Sequence, residues 1–155
     1  MLYTRLCALL NIDHPILNAP MSGTATGTLA AAVSNAGGFG MIGGTTGHGP
    51  DWLREQIVTA RTKTARPFGV GFISSFPNID DLVEVALDAR VALINHSFAD
   101  PTPYVAAAKA RDVLTFAQVQ TVAGARRAAE ADVDAIVAQG TEAGGHTGVA
   151  GTLAL

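Results

Sequence analysis

"PILNAPMSGTATGTLAAAVSNAGGFGMIGG", residues 15–44, holds a short apolar run, a stretch of helical character and a second apolar run threaded with glycines. Its last part, Gly38-Phe39-Gly40-Met41-Ile42-Gly43, matches the GxGxxG spacing of a dinucleotide-binding turn. Such a turn must follow a strand and open a helix, with an acidic residue about twenty positions further on. Here the glycines run through the β-type run itself and lead into the loop Gly44-Thr45-Thr46-Gly47-His48-Gly49. The stretch therefore reads as strand, helix, strand, with glycines where backbone or ligand approaches closely.

The same alternation continues along the chain. Continuously apolar runs lie at 15–19, 38–42, 68–73, 91–95, 113–117 and 135–138, which is the pattern of parallel strands covered on both faces. Their starts are roughly 22 to 30 residues apart, the length of one strand, one helix and two loops. Between them stand helix signals: Thr26 before 29–33 with Gly37 after it, Pro50-Asp51 before Trp52, Asp80 or Asp81 as a cap, and Thr121 before 122–129. Successive βα units make either a doubly wound open sheet or a (β/α)8 barrel. Several runs end in polar or glycine-bearing segments, namely Pro20-Met21-Ser22-Gly23, Ser74-Ser75, His96-Ser97, Gln118 and Gln139 onward. In a barrel all of these meet at the face where active sites collect. The expectation is an α/β chain of the TIM-barrel type, one domain over 1–155. A barrel typically needs ~250 residues, so about six βα units are expected here, with strands seven and eight missing.

Composition narrows the function classes. The chain of 155 residues has a net charge of -3 and no basic block, which argues against binding nucleic acid through bulk charge. One cysteine, Cys7, rules out an internal disulfide and a CxxC motif. The N-terminal apolar stretch is cut by Asn11 and Asp13, too short for a signal sequence or a membrane span. A cytoplasmic protein without membrane attachment is expected.

Chemistry-bearing residues are few. Ala19-Pro20-Met21 ends the first run; Pro20 imposes a turn and Met21 offers either a polarizable wall for a flat ring or an ordinary core methionine. His14 and His48 read as exposed polar residues, and His96 either reaches the barrel mouth or bonds the adjacent loop. His146 is different, because Gly144, Gly145 and Gly148 surround it and leave backbone and imidazole open to a ligand. Imidazole is the side chain that exchanges protons near neutral pH, so His146 is either a proton carrier or a plain loop histidine. Glu142 gains no pairing with it, since Gly144-Gly145 oppose a helix that would align the two. No metal site is expected, because no second His or Cys stands at ligand spacing.

Four stretches in order, "PILNAPMSGTATGTLAAAVSNAGGFGMIGG", "FGVGFI", "AQVQTVAGARRA" and "AQGTEAGGHTG", resemble the nitronate monooxygenase family, formerly 2-nitropropane dioxygenases. The resemblance covers almost the whole chain. It implies a barrel that binds FMN at its C-terminal mouth, with Ala19, Pro20 and Met21 beside the ring, Gln118 within contact, and Gly144 and Gly145 approaching it. His146 matches the histidine that removes the α-proton of a nitroalkane or orients a nitronate. The implied reaction uses molecular oxygen and yields a carbonyl compound and nitrite. Related flavin enzymes share much of the pattern, so an NAD(P)H-dependent enoyl-acyl-carrier-protein or quinone reductase is the alternative. An inert fragment or an assembly partner, self-associating through open sheet edges, is the other. Two positions depart from the family: Gly71 stands where many members have asparagine, and Thr147 where arginine is common. The family's phosphate contacts come largely from strands seven and eight, so impaired activity and weak FMN binding are the further expectations.

Overall fold

A computed structural model describes residues 2–155. A short helix α1 (Arg5–Leu10) leads through an extended segment to α2 (Gly27–Asn35). Strand and helix then alternate as β1 (Gly40–Gly43), α3 (Gly49–Lys63), β2 (Phe68–Ile73), α4 (Ile79–Asp88), β3 (Leu93–Ser97), α5 (Thr102–Lys109), β4 (Leu114–Val119), α6 (Val122–Glu130) and β5 (Ala135–Ala138), with a last 3-10 turn at Thr152–Ala154. All strands are parallel and pair in the order β1-β2-β3-β4-β5. Right-handed crossovers that always step the same way put the connecting helices α2 to α6 on one side of the sheet, while α1 packs on the other. A doubly wound sheet would reverse direction and place helices on both sides. The sheet is thus the curved wall of a (β/α) barrel.

The first expected strand, 15–19, is only a single bridge from Leu17 to Phe39. Pro15 and Pro20 flank it and supply no N–H. Asn18 takes over with its side chain: its Oδ1 accepts from Met41 N at 2.8 Å and its Nδ2 donates to Met41 O at 2.9 Å. One amide side chain thereby continues the ladder that the backbone abandons. The three glycines of the GxGxxG match serve packing. A Cβ on Gly40 would lie 1.9 Å from Ala30 O of α2, one on Gly43 2.4 Å from Met21 O, and one on Gly38 2.9 Å from Ile16 O.

Five helices end alike. Asn11, Gly37, Arg90, Asp112 and Asp132 have positive φ, and the next residue donates back five positions, as in Val91 N to Ala86 O and Val113 N to Ala108 O. This is the Schellman closure. It delays β3, which starts at Leu93 and not at the expected 91, because Val91 is occupied by the cap. Thr26 and Thr121 cap α2 and α6 as expected. Helix α4 differs: Asn78 is its N-cap, and Asp80 and Asp81 lie in the first turn, where their charge still favours the helix dipole.

Two apolar layers follow from strand alternation. Ile42, Val70, Phe72 and Ile94 pack outward against Leu53, Leu82, Val83 and Leu87 of the helices. Phe39, Met41, Leu93 and Phe116 face inward, where Cys7, Leu10 and Ile12 cover them from the N-terminal segment.

Candidate active site

The C-terminal ends of the strands surround a cleft of about 250 Å³. One wall is Ala19-Pro20-Met21. That segment lies tight across β1 and β2 because both present glycine: a Cβ on Gly71 would sit 2.3 Å from Pro20 Cγ. The departure at Gly71 thus has a local reason, since the space that a side chain would take belongs to Pro20. The turn is closed by Ala25 N donating to Met21 O at 2.8 Å, and Ser22 Oγ ties it to Thr45 O. Met21 remains exposed toward the cleft.

The opposite wall is the loop after β5. Gly144, Gly145 and His146 line the cleft, Gly145 has φ +77°, and a Cβ built on either glycine meets nothing within 4 Å. Bare backbone therefore faces open space. The loop is pinned from below: Gln120 Nε2 donates to Gln139 Oε1 at 2.9 Å, and Gln139 Nε2 donates to His146 O at 3.0 Å. The His146 imidazole is exposed and meets Phe98 edge-on, with centroids 6.3 Å apart. Phe98 has φ +62°, an unusual conformation for an aromatic residue and one that accumulates at working sites.

The floor comes from inward residues of β3 and β4. Ser97 Oγ donates to Gln118 Oε1 at 3.1 Å, and Asn95 Nδ2 donates to Ser97 Oγ at 3.4 Å. Beneath lies a recess of about 300 Å³ that shares Ala19, Pro20 and Gln118 and is lined by Met41, Leu93, Asn95, Phe116 and Val137. The arrangement suits a planar ring set between an apolar wall and bare peptide, with an amide at the floor and an imidazole at the rim.

Ala19, Pro20, Met21, Gln118, Gly144, Gly145 and His146 all line this one cleft. Ser97 and Gln139, named from the sequence only within strand-end segments, take definite places, Ser97 on the cleft and Gln139 holding the loop; Phe98, also on the cleft, was not singled out. Ending the third structural strand at 95 put Ser97 beyond it; the alternation that points Asn95 inward, carried two residues on, gives Ser97 its inward side.

The remaining candidates lie elsewhere. Glu142 accepts from Thr152 N and Oγ1, both at 2.9 Å, and these hydrogen bonds, the backbone one first, hold its carboxyl below the usual range. It has no contact with His146 in that role. His48 is exposed beside Trp52, and His14 is exposed as well. His96 lies within β3, not after it, and points outward to the helices, fully buried. Its Nδ1 bonds Ser74 Oγ at 2.8 Å in the loop after β2, its ring stacks on Tyr104 at 4.6 Å, and its Nε2 has no partner. Burial lowers its pKa to about 4. Tyr104 donates to Asp80 at 2.7 Å; burial first and this bond second raise its pKa to about 12. Among the described residues no three His, Cys, Asp or Glu side chains gather where a metal ion would sit.

The family profile described as nitronate monooxygenase matches residues 3–86 and 75–155. The (3aS,4S,5R,7aS)-5-hydroxy-7a-methyl-1-oxo-octahydro-1H-indene-4-carboxyl-CoA dehydrogenase of Mycobacterium tuberculosis is 32% identical over 155 residues, which are 99% of this chain and 43% of that protein. A nitronate monooxygenase of Pseudomonas aeruginosa is 33% identical, over 94% of this chain and 52% of its own. Among solved structures, FabK from Thermotoga maritima superposes with a TM-score of 0.93 at 40% identity, covering 97% of this chain and 48% of FabK. The chain spans about half the length of the curated relatives it matches.

Proposed function

The chain belongs to the nitronate monooxygenase family, and from that membership we propose that its cleft serves an FMN-dependent oxidation of alkyl nitronates and nitroalkanes by O2 to a carbonyl compound and nitrite. The observation that carries this reading is the convergence of Ala19–Met21, Gln118, Gly144, Gly145 and His146 on one cleft. The residues fit a flavin ring: the glycine wall leaves open the space that side chains would fill, and Met21 and Pro20 offer a flat apolar surface. FMN, when bound, supplies the redox chemistry.

The chain's own residues bind, orient and move a proton. Bare peptide at Gly144-Gly145 and the wall Ala19-Pro20-Met21 would hold the ring between them. The Gln118 amide donates to an acceptor at the floor. His146 Nδ1 or Nε2 takes the α-proton of a neutral nitroalkane, leaving the nitronate anion. In the FMN-loaded enzyme, His146→Ala lowers turnover of neutral nitroalkanes by about 10² or more, and of preformed nitronates by tenfold at most, because only the former needs a base. Equal losses with both substrates would make His146 a binding residue.

The likeness to FabK, at 40% identity, favours a second reading, an NAD(P)H-dependent flavin reductase on the same fold. Anaerobic mixing with NADH or NADPH separates the two, since rapid flavin reduction would overturn the oxygenase reading. Strand β5 lies at the sheet edge with Ile136 and Val137 each 40% exposed, which supports self-association through that edge. The single cysteine is buried, and among the described residues no helix is long and apolar enough to cross a membrane.

A further inference from the structure

We propose that Ser97, directed by Asn95, is a positioning residue that turns the Gln118 amide so that its NH2 group faces the cleft as a hydrogen-bond donor. The inference rests on the functional reading above. It starts from the inner face of the sheet, which is apolar at Met41, Leu93 and Phe116 and polar where Asn95, Ser97 and Gln118 adjoin. Strand register sets Ser97 directly opposite Gln118.

Direction in this chain follows from the donors. Asn95 Nδ2 has only hydrogens to give, and it gives one to Ser97 Oγ. The Ser97 hydroxyl then sends its single proton to Gln118 Oε1. With its oxygen turned toward Ser97, Gln118 presents its NH2 to the cleft. Asn95 is 6% exposed, and its Oδ1 is buried without a partner. Buried carbonyl oxygens are seldom left so. Turning Asn95 over would satisfy that oxygen by taking the Ser97 proton, and Gln118 would lose its guide. With Asn95 as donor its oxygen is left orphaned, and the Ser97 proton goes to Gln118 at the floor of the site.

A fixed donor selects an electron-rich acceptor. Two sources share that chemistry: an acceptor atom at the edge of the FMN ring, and the anionic oxygens of a nitronate. They separate in the measurement. If the ring is the acceptor, Ser97→Ala weakens FMN binding about tenfold, the loss of one hydrogen bond. If the nitronate is, FMN affinity holds while KM for ethylnitronate rises about tenfold at unchanged kcat. Ser97→Thr keeps the hydroxyl and restores either property. Asn95→Asp, which presents acceptors only, draws the Ser97 proton away and reproduces the Ser97→Ala effect.

An independent readout needs no flavin. In the ¹⁵N-labelled chain alone, the Gln118 side-chain NH2 gives a pair of well-separated resonances in the wild type and in Ser97→Thr, which collapse toward the free-glutamine position in Ser97→Ala. This decides the proposal even if the chain binds no FMN, an outcome that would count against the functional reading only. A Gln118 amide unchanged by Ser97→Ala, or FMN affinity and nitronate KM both unchanged in a folded Ser97→Ala protein, would overturn it.

Discussion

The two faces of the sheet obey different rules. Outward, Val70, Phe72 and Ile94 are sealed under helices in one continuous apolar layer, and the one histidine there, His96, is stripped of water and kept neutral. Inward, a smaller apolar cluster gives way toward the strand ends to Asn95, Ser97 and Gln118 and then to an open cleft. His146 on that side stays in solvent. The same strands supply both faces, so a shift of a single residue exchanges a structural side chain for a chemical one. Imidazole is thus an apolar filler at residue 96 and the candidate for proton transfer at residue 146.

The contrast is tested most strongly by acid. The unfolded chain protonates residue 96 below the ordinary histidine pKa of 6.5, whereas the folded chain does so only below about 4. Stability therefore falls as pH drops through that window, by about 3 kcal/mol in all from this group. Urea unfolding at pH 7 and pH 4.5 measures it; in His96→Phe this part of the pH dependence disappears, and an unchanged slope would break the assignment of the outer face. Next in size is a glycine pair. Gly71→Ala forces its Cβ on Pro20, costs about 1–3 kcal/mol and shifts the Ala19–Met21 wall. Gly144→Ala meets open space, leaves stability within about 0.5 kcal/mol and weakens FMN binding. If both variants change stability alike, the second glycine is a folding feature and not an opening for a ligand. Smallest is Arg90→Gly at a left-handed helix end, φ +47°, which lies on neither face. Glycine relieves that conformation and raises stability by about 1 kcal/mol, detected as a higher thermal midpoint.

How far the sequence revealed this follows from which forces are local. Repeating apolar runs and caps at Thr26 and Thr121 disclose the βα alternation, because both are set within a few residues. Glycine context separates the barrel from a dinucleotide fold. Strand ends are less legible: Val91 looks like strand but closes a helix, and a strand ended at 95 missed the inward direction of Ser97 and the true setting of His96. Helix α1 was not foreseen, although Thr4 accepts from Cys7 N as a cap; six residues carry too little periodicity. Asn18 was read as part of a strand; its backbone N–H reaches Phe39 O at 3.4 Å, but the pairing to Met41 is made by its side chain. The residues of the cleft were named from a family resemblance, whereas the hydrogen bonds among Asn95, Ser97 and Gln118 depend on register between strands over twenty residues apart, as the 21-residue separation of Ser97 and Gln118 illustrates.

The strictly sequential strand order has a consequence for how the molecule comes into being. Each strand finds its partner in the one just before it, so the sheet extends at a single edge and no later segment must be threaded between earlier ones. Loop closure stays short at every addition. A chain emerging from the ribosome can then lay down one βα unit upon the last at the pace of translation, with the ends of α2, α4, α5 and α6 sealed by their own turns before the next strand arrives.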